Sequence, residues 1–246
     1  MNESPLSVQS VTQSYGKRTV LKNVQLKLIP GEVFGLIGLN GAGKTTLIKS
    51  ILDLIRINQG EIQIFGTPSR QIEARRHISY LPEKFQPSRY LKGMEYLTLA
   101  LSYYGKSLDI EKAKAAARLL DLDPEVLTAR VGSYSKGMGQ KLGLLGAFMV
   151  EPRLLILDEP MSGLDPSARI KLKNMLLSVR DQGRTIFFSS HILSDIDEIC
   201  GRIGVIHDGN LFFVGTPAEF KHMHANSSLE KAFLSSIEAI DSSKAA

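Results

Sequence analysis

The segment VFGLIGLNGAGKTT, Val33 to Thr46, decides how this chain folds. Its first five residues form an apolar strand, and the run TTLIKSILDLI that begins at Thr45 opens a helix. Between them stands G-x-x-x-x-G-K-T, in the strand-before, helix-after context that this pattern requires. On average residue frequencies it would arise by accident in a chain of this length on the order of one time in a hundred. Glycines let backbone N–H groups wrap a polyphosphate without Cβ clashes, and the helix N-terminus adds the positive end of its dipole. The binding residues so identified are Gly38, Leu39, Asn40, Gly41, Ala42, Gly43, Lys44, Thr45 and Thr46. Lys44 is expected to reach the β- and γ-phosphates, and the Thr45 hydroxyl to ligate magnesium.

A second stretch, RLLILDEP, completes the chemistry. Apolar residues run into Asp158 and Glu159, as in a buried parallel strand that delivers two carboxylates at its C-terminal edge, where open α/β sheets bind ligands. Asp158 is expected to hold magnesium through water, and Glu159 to orient or deprotonate the attacking water.

The rest of the chain bounds this reading. With 246 residues, 43% of them hydrophobic, it can fill a core as one large domain or two small ones. Its 30 basic and 25 acidic residues are scattered, and the net charge of +5 is weak evidence for a nucleic-acid partner, so none is expected. The single cysteine, Cys200, reads as a small buried apolar residue and allows no disulfide framework. Apolar runs such as LGLLGAFMV fall short of the roughly twenty residues of a membrane helix, and MNESPLSVQS lacks a signal pattern, so the chain is expected neither to span a membrane nor to be exported. The pair His222 and His224 has no third partner and reads as a solvated helix end, not a metal site.

Short β-rich runs between Leu6 and Gly66 are separated by turn residues. Helical spacing dominates from about Pro87 to Leu127, with a turn at Pro124. Strand and helix then alternate: helix 137–150, strand RLLILDE, helix 166–180, strand RTIFFSS, helix 193–200, strand RIGVIHD. Such alternation indicates a parallel sheet with helices on both faces. The tail after Ala225 has one amphipathic run, LEKAFLSSI, and polar residues expected to fray.

With these motifs in order, the chain resembles the ATP-binding subunit of ABC transporters over nearly its whole length. Tyr15 in QSYGKRTVL matches the aromatic residue that stacks on adenine. The segment SKGMGQ, with Ser135, Lys136, Gly137 and Met138, is similar to the family signature. In SGLDP, residues Ser162, Gly163, Leu164 and Asp165 match its D-loop, and His191 in FFSSHIL falls at its switch histidine.

The resemblance implies an α/β fold: a P-loop NTPase core with a mixed, mainly parallel sheet, an N-terminal antiparallel β portion and a helical insert. It implies one ATPase domain over residues 1–246, with the ATP-binding core at 6–86 and 136–225, a helical subdomain at 87–135 and a tail at 226–246. Catalysis would fall to Glu159, His191 and Lys44, with ATP and Mg2+ as ligands and Thr45, Glu83 and Asp158 around the metal. Ser135 and the N–H groups near Gly137 would cap the γ-phosphate of ATP held by a second subunit, so that two copies close around nucleotide. The partners implied are that second subunit and a transmembrane permease, with the chain on the cytoplasmic face of the membrane.

Two positions depart from the usual family form. Glu83 stands where a magnesium-contacting glutamine is common, with Gln86 as the alternative if the loop register slips, and Lys136 and Met138 replace glycine and glutamine. These variants resemble the branch that serves drug, sodium and polysaccharide exporters. The segment KFQPSRYLKGMEYL is where the family docks its membrane partner. Alternatives are a soluble ABC-type ATPase acting on nucleic acid or ribosomes, which usually carries coiled-coil arms, zinc cysteines or fused modules, and a P-loop kinase or GTPase, which lacks the signature and His191.

Overall fold

The computed structural model describes residues 3–245. Strands β1 (Ser7–Tyr15), β2 (Arg18–Lys27) and β3 (Val33–Ile37) lead into α1 (Lys44–Ile51), followed by β4 (Gln59–Ile64), β5 (Thr67–Pro68), α2 (Ile72–Arg75) and β6 (Ile78–Leu81). A helical stretch follows, with α3 (Gly93–Ser102), α4 (Ile110–Leu119) and 3-10 turns at Pro124–Thr128 and Val131–Ser133. The chain then alternates through α5 (Lys136–Met149), β7 (Leu154–Asp158), α6 (Pro166–Asp181), β8 (Thr185–Ser190), α7 (Leu193–Ile199) and β9 (Arg202–His207). It closes with β10 (Asn210–Gly215), α8 (Pro217–Met223) and α9 (Leu229–Ala245).

Two sheets form. One is antiparallel, in the order β2-β1-β4-β5, and the other has the order β10-β9-β3-β8-β7-β6. In the second, β6, β7, β8, β3 and β9 are parallel, and only β10 at the edge runs antiparallel. Every residue of β3, β7 and β8 is buried, which explains their unbroken apolar runs.

Alternation along β3 sends Val33 and Ile37 into the core shared with α5, α6 and α7, and Phe34 and Leu36 into the core beneath the antiparallel sheet. Phe34 stacks on Phe187 of β8 in that second core, with ring centroids 5.7 Å apart. One face of the parallel sheet is thus covered by helices. The other is covered by α1 together with the antiparallel sheet, so helices lie on both faces as expected, with the antiparallel sheet sharing the second. A Cβ at Gly35 would lie 2.6 Å from Ile196 Cδ1, so glycine is what lets α7 lie close on β3.

Strands β5, β6 and β10 were not expected. ISYL is only four residues long, too short for a period to show, yet it forms the edge strand β6. The β9–β10 hairpin turns on Asp208 and Gly209, both with positive φ, in a two-residue loop between the paired His207 and Asn210. The tail also differs from expectation: α9 continues through its polar end to Ala245, anchored by buried Leu229, Ala232, Phe233 and Ile237. Cys200 is buried, and burial pushes its thiol pKa up. His222 lies in the last turn of α8, and the ring of His224 packs edge-on against Phe220.

Candidate functional site

The loop after β3 is shaped by packing at its start and by backbone conformation further on. At Gly38 a Cβ would sit 2.4 Å from the backbone oxygen of Ile206, so only glycine lets the loop pass over β9. Gly41 and Gly43 have φ of 81° and 114°, a region L side chains avoid. Gly43 caps α1 with no side-chain acceptor, which leaves the first-turn N–H groups free for an anion. Lys44, 7% exposed, folds back so that Nζ donates to the Gly38 carbonyl at 2.7 Å and stands 3.7 Å from Glu159 Oε1.

The two carboxylates at the end of β7 have different surroundings. Asp158 is buried and accepts hydrogen bonds from Thr45 Oγ1 at 2.9 Å and from Ser189 Oγ at 2.6 Å. Ser189 Oγ also accepts from the backbone N–H of Glu159 at 3.0 Å. The parallel register places Asp158 opposite Ser189, so this serine is a product of strand pairing that no local motif announced. Glu159 has a φ of 51°, a strained conformation for a non-glycine residue, and its Oε2 lies 2.7 Å from Nδ1 of His191. The His191 backbone N–H reaches the same oxygen at 3.3 Å.

These groups surround a cavity of about 480 Å³. The loop residues 39–41 and 43–46 line it, together with Tyr15, Glu83, Glu159, Ser162 and His191. Gly38, Ala42 and Asp158 are buried and do not line it. Arg18 and Val20 of β2 also line the cavity and were not singled out in the sequence; Arg18 is the cross-strand partner of Tyr15, and pairing across the hairpin is what brings it there. Glu83 lines this cavity, whereas Gln86 lines only a second one. Burial, with the charges of Asp158 and Glu83 adding to it, pushes the Tyr80 hydroxyl up to about 12.

Thr45 Oγ1, the Asp158 carboxylate and exposed Glu83 are the hard oxygen donors that magnesium takes, so the residues present fit that ion.

The serine elbow is elsewhere. Ser135 caps α5, its Oγ accepting from the Met138 N–H at 3.2 Å, and with Lys136 and Gln86 it opens onto a second cavity of about 920 Å³. Neither Ser135 nor Lys136 reaches the first cavity; Glu83 and Ser162 line both. Gly137 packs on the loop 162–165, since a Cβ there would lie 3.1 Å from the Gly163 carbonyl oxygen. Asp165 caps α6 by accepting from the Ala168 N–H at 2.9 Å, and that bond holds its pKa below the usual carboxylate value. Leu164 is partly buried against the helical core.

No helix among the described residues is long and apolar enough to cross a membrane. Residues 21–162 match the family model described as ABC transporter. The chain is 39% identical over 206 residues to an ABC transporter ATP-binding protein of Synechocystis, a match covering 81% of this chain and 57% of that protein; the chain thus spans little more than half of that relative's length. It is 36% identical to the ABC-type transporter ATP-binding protein EcsA of Bacillus subtilis, over 89% of this chain and 90% of that one. It is 33% identical to the Nod factor export ATP-binding protein I of Burkholderia orbicola, over 88% and 72% respectively. A solved ATP-binding subunit of an ABC transporter superposes with a TM-score of 0.87 at 32% identity, covering 94% of this chain and 98% of that one. With its phosphate loop, serine elbow and paired carboxylates following one another along the chain, it belongs to the ABC transporter family and has the fold of that family's ATP-binding subunit.

Proposed function

We propose that this chain is an ATPase that closes with a second copy around ATP and drives a separate membrane permease. The observation that supports this best is the division of the site. The first cavity carries the phosphate loop, Lys44, Glu159 and His191, while Ser135 opens onto a different cavity and cannot serve a nucleotide in its own cradle. Donors that lie away from the chain's own phosphate loop are suited to a nucleotide offered by a two-fold partner.

On this reading Tyr15 stacks on adenine and the backbone of residues 38–46 wraps the phosphates. Lys44 leaves the Gly38 carbonyl to neutralise the β- and γ-oxygens. Glu159, held against the His191 ring, takes the proton of the attacking water, and His191 holds that water against the γ-phosphate. Thr45, Asp158 and Glu83 would hold magnesium, which supplies charge neutralisation on the phosphate oxygens. From the partner, Ser135 and the N–H groups near Gly137 cap the γ-phosphate, and Ser162 to Asp165 line the closing surface.

The names of relatives, one of them a Nod factor export protein, support an exporter on the cytoplasmic face of a membrane. The one-domain division, with a core at 6–86 and 136–225, a helical subdomain at 87–135 and a tail at 226–246, belongs to the same reading.

The test is Glu159→Gln at saturating ATP and magnesium. Turnover is expected to vanish while sedimentation finds a dimer. A variant that stays monomeric would remove the sandwich.

A further inference from the structure

Lys141 sits on the second turn of α5, just beyond the serine elbow, and its side chain is only 10% exposed. A buried ammonium is costly unless its donors are used. Its Nζ donates to the backbone carbonyl of Asp121 at 2.8 Å and stands 3.8 Å from Asp165 Oδ2 and 4.0 Å from Asp121 Oδ2. These partners belong to two different parts of the fold. Asp121 follows α4, with a φ of 60° that turns the chain out of the helix. Asp165 begins α6.

The neighbouring contacts reinforce the bridge. Gln140 is buried, and its Nε2 donates to the carbonyl of Pro160, the residue after Glu159, at 3.1 Å. Gly137 lies against the Gly163 carbonyl. The first two turns of α5 therefore meet Gly163, Pro160 and Asp165 through Gly137, Gln140 and Lys141 respectively. The Asp121 carboxylate, in turn, takes Lys171 of α6 at 2.6 Å, a bond that with the Lys171 charge holds its pKa below the usual value. A swing of α4 relative to α6 must break the Lys141 bonds or carry α5, and Ser135 with it.

We propose that Lys141 is a positioning residue: it ties the end of the helical segment to the loop 162–165 and so fixes where the Ser135 elbow is presented to a nucleotide held by a second copy. This rests on the sandwich reading above. Lys141 lines neither cavity, and of the residues assigned to the site it approaches only Asp165 of the closing surface.

The experiment uses the full chain in the Glu159→Gln background, with ATP and magnesium, and reads dimer formation by sedimentation against protein concentration. A fluorescent ATP reports nucleotide binding to the monomer. Lys141→Met is expected to weaken the ATP-dependent dimer about tenfold, a typical coupling between distinct sites. Binding of the fluorescent ATP to the monomer stays unchanged, and Lys141→Arg restores the dimer. Should Lys141→Met fail to fold, Lys141→Gln keeps a donor in the slot and is measured in the same way.

Unaltered dimer formation in a folded neutral variant overturns the proposal. So does loss of folding in both neutral variants, since that describes a residue needed only for stability. A Glu159→Gln chain that is itself monomeric fells the sandwich and this inference together; a Glu159→Gln dimer unaffected by Lys141→Met fells the inference alone.

Discussion

Nδ1 of His191 lies 2.7 Å from Oε2 of Glu159, while Lys44 approaches the other oxygen of the same carboxylate at 3.7 Å. Glu159 and Lys44 are both nearly buried, whereas the histidine side chain is 57% exposed. A carboxylate held from both sides cannot rotate freely, and the exposed ring lines the same cavity as the phosphate loop. His191→Ala should therefore lower kcat by about a hundredfold or more, the scale of a lost group in proton transfer. Binding of a fluorescent ATP should stay close to wild type, and steady-state phosphate release measured beside it checks the separation.

Bulky side chains at the elbow test the proposal that Ser135 and Gly137 serve a nucleotide held by a second copy. Replacing Ser135 and Gly137 together by Leu should abolish ATP turnover and the ATP-dependent dimer while leaving nucleotide binding to the monomer intact. Undiminished hydrolysis by that variant would refute a role for the elbow.

Gly38 is constrained by packing. A methyl group there would meet the Ile206 backbone oxygen at 2.4 Å, and backbone cannot move aside as a side-chain tip can. Gly38→Ala should cost about 1 to 3 kcal/mol, the usual scale of overpacking. A lower urea midpoint, with loss of nucleotide binding, is the expected result.

Glu83 supplies a carboxylate to the cavity where an amide would bring no charge. Glu83→Gln should raise the magnesium concentration needed for half-maximal nucleotide binding by about tenfold, within the range seen when a metal site's supporting groups are altered. A magnesium titration followed by nucleotide fluorescence reads this without any turnover.

Acid stability offers a test away from the site. The Glu219 carboxylate accepts from the Thr216 N–H at 2.7 Å, and this bond holds its pKa below the ordinary 4.5. A carboxylate with a depressed folded pKa adds stability above its unfolded pKa and loses it as the pH falls through the folded one. Glu219→Gln should therefore show a shallower loss of stability below about pH 4.5 than wild type in urea melts.

What the sequence determined by itself is local. The phosphate loop was legible because its glycines, Lys44 and Thr45 act through consecutive backbone, and the ends of β7 and β8 because buried parallel strands read as apolar runs that stop at polar residues. The hairpin strand β10 after Asp208-Gly209 was not read from the sequence, and β6 was too short for its period to show. Tertiary structure decided whatever depends on pairing between distant segments. Register alone sets Ser189 against Asp158 and Arg18 beside Tyr15. Chain packing turned Glu83, and not Gln86, toward the cradle, and placed Lys141 between Asp121 and Asp165. The physical reason is that residue spacing constrains neighbours along one element, whereas contacts between elements follow from how the sheet and its helices close on one another.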